Sequence, residues 1–238
     1  MEPAVDRLAN GLTVSMECLP YLHSASAGIW IKAGSVNETP REAGLAHLLE
    51  HLFFKGTKTR SVRQIMEAIE GCGGQMNGFT TREYTCLYVK MLDRHLATGI
   101  EILADLVKNS LFCDLEKERN VVLEEIASIE DTPDEYIHDL LALHHWPNHS
   151  LGVPVSGYHD SVAALSLEDV RAFHQRWHKP ENMFFSVAGN IDQDAVLAQI
   201  HREFEDLTSG APALENGSPR FQGGVKTVDR DIGQAHLC

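Results

Sequence analysis

The sequence has few basic residues, no paired cysteines and no long hydrophobic run. Its 238 residues include 20 Lys and Arg against 34 Asp and Glu, a formal net charge of -14. This charge argues against nucleic acid as a partner, because phosphates select basic surfaces. The five cysteines are scattered without a C-x-x-C pair, so neither a zinc knuckle nor a dithiol redox motif is indicated. No apolar run is long enough to predict a membrane span.

The N-terminal residues also lack the features of a secretory signal. Residues 1–6, MEPAVD, contain neither a basic n-region nor an apolar core, so we identify no signal peptide. Reduced, unpaired cysteines are typical of a reducing compartment. We therefore expect a cytoplasmic protein, while a matured organellar protein without its presequence would have the same N-terminus.

Strand and helix patterns occur in clusters and do not alternate strictly. Asn10-Gly11 predicts a hairpin turn, and later segments with strand character span residues 25–33, 75–79, 84–91 and 183–188. Helical periodicity covers residues 62–71, 96–111, 115–130 and 192–207. Capping boxes at 132–135 and 166–169 predict two further helix starts. This order is typical of an α+β domain with a largely antiparallel sheet.

The most informative stretch is GLAHLLEHLFF at residues 44–54. Each helical residue advances by about 100°, so His47, Glu50 and His51 share one face. Two neutral imidazoles four residues apart suit one zinc ion, and a nearby carboxylate can take a proton from water. The H-x-x-E-H pattern is a known signature of metalloproteases. Five residues alone do not distinguish this interpretation from an amphipathic helix whose polar face meets water.

A second pair of carboxylates occurs in the helix predicted over the following acidic segment. Glu118 and Glu125 lie about 20° apart on the helical wheel, in the middle of an apolar stripe that includes Val122. A buried carboxylate is costly unless it is paired or binds metal, and Arg119 could pair with one of the two acids. Because a catalytic zinc site needs a third protein ligand, Glu125 is the best-placed candidate. Glu118 would then orient the ligands.

These residues carry a resemblance to a known family. GLAHLLEHLFFKGT, a long spacer and the E-x6-E of EKERNVVLEEI are similar to the inverted-zincin peptidases, which include pitrilysin, insulysin and the mitochondrial processing peptidase. Further matches are RLANGLTV, QMNGFTTREYTCLYVK and HKPENMFFSVAGNID, so the resemblance covers nearly the whole chain. It is strongest to the bacterial processing-protease-like members. It implies the repeated α+β domain of that family, a mostly antiparallel sheet with helices packed on one face.

The resemblance also implies a role for individual residues. Three positions match the zinc ligands of the family: His47, His51 and Glu125. Glu50 matches the general base that activates the attacking water, and Glu118 matches a second acid that supports the site without binding metal. Residues 76–80 match the edge strand on which such enzymes pair an extended peptide. There we expect Asn77 and Thr80 to contact the substrate backbone.

A change of composition near the C-terminus predicts how the chain divides into domains. Residues 209–219 are rich in Gly, Pro, Ser and Asn, as linkers are. We expect a metallopeptidase domain over residues 1–210, a linker over 211–223, and the first strand of a second, truncated domain over 224–238.

The sequence thus predicts a zinc-dependent metalloendopeptidase domain, with one Zn²⁺ per site, that hydrolyses extended peptides or unfolded protein. Family members enclose a chamber between two halves, so the resemblance implies a second half-domain in cis or a partner subunit in trans. No position here matches the arginine and tyrosine of the far half, so we do not expect full activity from this chain alone. The alternative function is a non-catalytic, peptide-binding partner of an active homologue. A di-iron bundle, suggested by the E-x-x-H of residues 135–138, would need two such motifs.

Overall fold

The computed structural model describes residues 3–210 and 217–238. Within these residues one sheet contains six strands: Ala4–Arg7 (β1), Thr13–Cys18 (β2), Ser24–Ile31 (β3), Gln75–Thr80 (β4), Thr85–Leu92 (β5) and Met183–Gly189 (β6). The α-helices in the same residues are Leu45–Phe53 (α1), Val62–Glu70 (α2), Leu96–Asn109 (α3), Leu115–Asp131 (α4), Pro133–His145 (α5), His159–Ala164 (α6), Leu167–Trp177 (α7) and Gln193–Phe204 (α8).

The sheet has the strand order β1-β2-β6-β3-β5-β4. Its neighbours pair antiparallel, with the exception of β2 and β6, which are parallel. The predicted hairpin forms between β1 and β2, where Gly11 adopts a φ of +98°, a conformation that favours glycine. The prediction of an α+β domain with a largely antiparallel sheet is therefore confirmed.

The two faces of the sheet have different environments. On β3, Ala25, Ala27, Ile29 and Ile31 are buried, and the register places Ile29 between Leu87 and Phe185 of the adjacent strands. Helices α1, α2, α3 and α8 contact the sheet on this side, so the core lies between the sheet and one layer of helices. This arrangement matches the expected packing of helices on one face.

The two predicted capping boxes have different outcomes. Ser166 accepts a hydrogen bond from the amide of Asp169 at 3.2 Å, and the Asp169 carboxylate accepts from the amide of Ser166 at 2.9 Å. The box at Thr132 does not form, because this residue ends α4 as well as preceding α5. Its hydroxyl donates instead to the carbonyl oxygen of Ser128 at 2.7 Å. Pro133 does occupy the first turn of α5, as predicted.

The C-terminal segment differs from the expectation for residues 224–238. Residues 217–238 contain no strand and add none to the six-stranded sheet. The segment lies instead along α5, where the ring of Phe221 stacks on His145 with centroids 4.6 Å apart. Residues 211–216 of the predicted linker lie outside the described residues, and the assignment of 224–238 to a second domain stays a prediction. No helix in the described residues has the length and apolar character needed to cross a membrane.

Candidate metal centre

Helix α1 is held in the core by its apolar side and presents its polar side to a cleft. Leu45, Leu48 and Leu52 are fully buried, whereas His47 and His51 lie one turn apart on the other side, with ring centroids 4.7 Å apart. The helix begins after Gly44, whose φ is +92°. A Cβ atom there would lie 2.5 Å from the carbonyl oxygen of Ser156, so this start requires glycine.

Because Gly44 has no side chain with which to cap the helix, a residue from the preceding loop performs this task. The carboxylate of Glu38 accepts hydrogen bonds from the amides of Gly44 at 2.9 Å and Ala46 at 2.6 Å. Burial raises the pKa of the Glu38 carboxyl well above its ordinary value, although these amides favour the ionised form. Sequence analysis missed Glu38. The signal that could have identified it is an acid shortly before a helix that starts at glycine.

The three predicted zinc ligands come together between α1 and α4. The Nε2 atoms of His47 and His51 each lie 3.6 Å from Oε2 of Glu125, and the three ligand atoms lie within 4.8 Å of one another. A tetrahedral zinc ion with bond lengths of about 2.0–2.2 Å would space its ligand atoms about 3.3–3.5 Å apart. In the described residues, this is the one group of three His, Cys, Asp or Glu side chains with such spacing.

The protonation of His47 also suits a metal ligand. Burial, aided by the proximity of His51, lowers the pKa of His47 to about 4. Its imidazole is therefore neutral at physiological pH, which is the state that binds a metal ion. The donor set of two imidazoles and one carboxylate fits zinc.

Glu118 is buried, as its helical phase predicts, and it bridges two groups. Its Oε2 lies 3.6 Å from Nδ1 of His51, and its Oε1 pairs with Nζ of Lys55 at 2.8 Å. Arg119 does not compensate its charge, because the guanidinium pairs with Glu116 on the surface. Sequence analysis missed Lys55, although its position four residues after His51 places both on one side of the helix end.

Glu50 lies at the side of the metal group next to the sheet. Its side chain is buried, and its Oε2 accepts a hydrogen bond from the hydroxyl of Thr80 at 3.0 Å. Burial raises the pKa of the Glu50 carboxyl, although the Thr80 hydrogen bond and His51 act in the opposite direction. Gly78 leaves room for this carboxylate, since a Cβ atom there would lie 3.1 Å from Oε1. A carboxylate with a raised pKa next to a metal site is suited to general base catalysis.

The structure places the two expected substrate contacts on opposite faces of β4. Thr80 pairs with buried Thr85 and faces α1, whereas Asn77 pairs with Tyr88 on the face away from the helices. Side chains three positions apart on a strand point to opposite faces. Strand β4 is at the edge of the sheet and pairs with β5 alone, so its outer backbone edge is available to an extended peptide.

A cleft of about 620 Å³ connects the metal group with β4. Its walls are formed by α1, β4, α4 and α5 and by the loop before α6, with the lining residues His47, Glu50, Gly78, Phe79, Thr80, Glu125, Ser128, Ile129, Glu135, Asp139, Val155 and Ser156. Glu135 of the E-x-x-H motif lies at this cleft, but His138 is exposed and lies 3.6 Å from the thiol of Cys238. The motif therefore does not build a second metal group here.

Family models match most of the chain. The model described as insulinase, peptidase family M16, matches residues 13–158, and the model described as peptidase M16 inactive domain matches residues 164–238. Among curated proteins, "Uncharacterized zinc protease YmxG" of Bacillus subtilis is 40% identical over 231 residues, which make up 96% of this chain and 56% of that protein. The chain thus spans about half the length of this relative.

Solved structures have the same fold. A protease from Helicobacter pylori superposes with a TM-score of 0.87 at 24% identity, over 93% of this chain and 54% of that chain. The periplasmic protease PqqL from Escherichia coli superposes with a TM-score of 0.82 at 26% identity, over 93% of this chain and 25% of that chain. The insulinase model covers His47, His51 and Glu125 and more than half of the sequence, and the chain therefore belongs to the insulinase family of peptidases, family M16.

Proposed function

We propose that this chain is the zinc-binding domain of a metalloendopeptidase that cleaves extended peptides or unfolded protein. The observation that carries the proposal is the arrangement of His47, His51 and Glu125 beside the buried carboxylate of Glu50, in a cleft bordered by an edge strand. Relatives that are named zinc proteases support the same metal. We assign one Zn²⁺ to the three ligand atoms.

Zinc bound there would polarise the carbonyl of the peptide bond and lower the pKa of water. Glu50 would take the proton of the attacking water and return it to the leaving amine. The hydroxyl of Thr80 fixes the orientation of this carboxylate through its hydrogen bond to Oε2. The backbone edge of β4 would align the peptide by strand addition, and we retain Asn77 and Thr80 as proposed contacts with the substrate.

A second candidate function is a non-catalytic, peptide-binding partner of an active homologue. One observation favours considering it: the family model that matches residues 164–238 is that of an inactive domain. In either function we propose a second half-domain, in cis or as a partner subunit in trans. A reducing cytoplasmic location also stays a prediction, in agreement with five free cysteines.

Zinc content and peptide cleavage test the proposal together. We expect one zinc ion per chain, and cleavage of an unstructured fluorogenic peptide that a chelator abolishes and zinc restores. Glu50→Gln should retain zinc and lose cleavage by a factor of about 10²–10⁴, since the amide cannot accept the proton. Stoichiometric zinc without cleavage, in the unmutated chain supplied with its second half-domain, would favour the non-catalytic partner, and absence of zinc binding would show both the metal site and the enzyme to be wrong.

A further inference from the structure

We propose that Lys55 is a positioning residue of the metal centre, which acts on His51 through Glu118. The inference rests on the proposed function, because it assigns to His51 the role of a zinc ligand. Lys55 follows α1, and in the described residues its ammonium forms an ion pair with Glu118 and none with the three proposed ligands; it reaches the metal group through the Glu118 carboxylate.

The geometry forms a continuous chain of groups. Nζ of Lys55 lies 2.8 Å from Oε1 of Glu118, and the other oxygen of this carboxylate lies 3.6 Å from Nδ1 of His51. On the far side of the ring, Nε2 of His51 lies 3.6 Å from Oε2 of Glu125. A carboxylate at one ring nitrogen directs the lone pair of the other nitrogen toward the metal. Lys55 therefore fixes the group that orients His51.

The burial of Glu118 makes this cation necessary. The residue is 3% exposed, and a buried carboxylate without a counter-charge is strongly unfavourable. Lys55 is the one lysine or arginine of the described residues that forms an ion pair with Glu118. Lys55 itself is 27% exposed, so its ammonium keeps contact with water while it holds the carboxylate in place.

Support of this kind is confined to one of the two imidazoles. Nδ1 of His47 is buried and has no hydrogen-bond partner, whereas Nδ1 of His51 faces Glu118. The orientation of His47 is therefore determined by packing, and that of His51 by a charged pair. A change at Lys55 should be transmitted to the metal through His51 alone.

Zinc affinity and the absorption spectrum of the cobalt(II)-substituted protein test the inference. We expect Lys55→Met to weaken zinc binding about tenfold, in the lower part of the range for residues that support metal ligands, and to alter the cobalt bands, which report the ligand geometry. Lys55→Arg keeps the positive charge and should restore most of the affinity. Lys58→Met removes an exposed lysine of the same loop and should leave both measurements unchanged.

A double-mutant cycle separates this role from a merely structural one. If Lys55 acts through Glu118, Lys55→Met should change zinc affinity less than about twofold in a Glu118→Gln background. If the loss of zinc affinity in the double variant equals the product of the losses in the two single variants, the inference is overturned. Unchanged zinc affinity in Lys55→Met would also overturn it. Should Lys55→Met alone fail to fold, the double variant, which leaves no uncompensated carboxylate, decides by comparison with Glu118→Gln. Failure of the unmutated chain to bind zinc would instead refute the proposed function.

Discussion

Two pairs of histidines four residues apart lie on or at the end of a helix, and in the described residues only the pair on α1 belongs to a group that could hold a metal ion. On α1 the rings of His47 and His51 lie at 81° to each other and face the carboxylates of α4. In the α7 pair, His174 lies in the last turn of the helix and His178 is the residue that follows its end; their rings stack with centroids 4.4 Å apart and pack against Phe53. The spacing is the same, but the surrounding residues differ. Spacing on a helix therefore places two imidazoles together, and a third residue from another element decides whether they form a ligand set.

Burial has a similar electrostatic effect at both sites, so it does not distinguish them. It lowers the pKa of His47 and of His174 to about 4, and the pKa of His178 well below its ordinary value. The two pairs differ in whether their ring nitrogens are free to bind a metal ion. Nε2 of His174 donates to the carbonyl oxygen of Val107 at 2.9 Å, and no carboxylate faces the α7 pair in the described residues.

The largest expected effect concerns metal binding at the two pairs. His51→Ala removes one of three protein ligands and should weaken zinc binding on the order of a thousandfold. His178→Leu, a substitution of similar volume at the end of α7, should leave one zinc ion per chain. Metal analysis after gel filtration, with a competing chelator for the affinities, measures both. Stoichiometric zinc in His51→Ala would contradict the assignment of His51 as a ligand. Loss of zinc in folded His178→Leu would mean that the α7 pair also affects metal binding.

The inward phase of Glu118 and the pairing of His47 with His51 could be predicted from sequence, because both follow from the helical repeat. The acid at Glu125 was also predictable, although its side chain is 42% exposed and forms the rim of the cleft, not its floor. The opposite orientation of Asn77 and Thr80 follows from the two-residue repeat of a strand, so the sequence alone predicts that they lie on different faces.

Other parts of the site depend on tertiary packing and could not be predicted. The pair of Lys55 with Glu118 requires the position at which α1 and α4 meet, and no local pattern specifies it. An acid before a helix that starts at glycine makes Glu38 a candidate cap, but its actual hydrogen bonds to Gly44 and Ala46 depend on the left-handed backbone of Gly44 and the path of the preceding loop. The α7 histidines have the spacing of a ligand pair, and only the tertiary structure excludes that interpretation, because Phe53 and Phe112 pack around them and no third ligand from another element joins them in the described residues.

An intermediate effect is expected on stability in acid, to which His174 contributes alongside the other buried histidines, His47 and His178, whose pKa values are also lowered. Unfolded histidine has a pKa of about 6.5, above that of folded His174, so below pH 6.5 the unfolded chain binds a proton that the folded chain does not. Stability should therefore be unaffected above pH 6.5 and fall as the pH decreases toward 4, with a contribution from His174 of up to about 3 kcal/mol.

Urea unfolding of the metal-free protein between pH 7 and pH 4 measures this loss. His174→Gln retains an N–H donor for Val107 but does not titrate, and it should reduce the decrease in stability by a similar amount. His159→Gln removes an exposed histidine and serves as the control. If the pH dependence of the free energy of unfolding is the same in His174→Gln as in the unmutated protein, burial does not lower the pKa of His174. The two histidine pairs would then differ in their electrostatics.

The smallest expected effect concerns the way in which the two helices begin. Helix α7 has its own capping box, so Ser166→Ala should cost about 1 kcal/mol of stability and leave zinc affinity unchanged. Helix α1 depends on Glu38, and Glu38→Ala leaves the buried amides of Gly44 and Ala46 without an acceptor, at a cost of about 1–3 kcal/mol.

Because His47 lies one residue after the amide of Ala46, Glu38→Ala should also weaken zinc binding by a few-fold, within the range for residues that support a metal site. Chemical unfolding and chelator competition on the same two variants give the comparison, with far-UV circular dichroism as a check of folding. If both variants lose stability and neither changes zinc affinity, the first turn of α1 does not determine the position of His47. The ligand would then be held by the packing of Leu45 and Leu48 alone, as the unpartnered Nδ1 of His47 would allow.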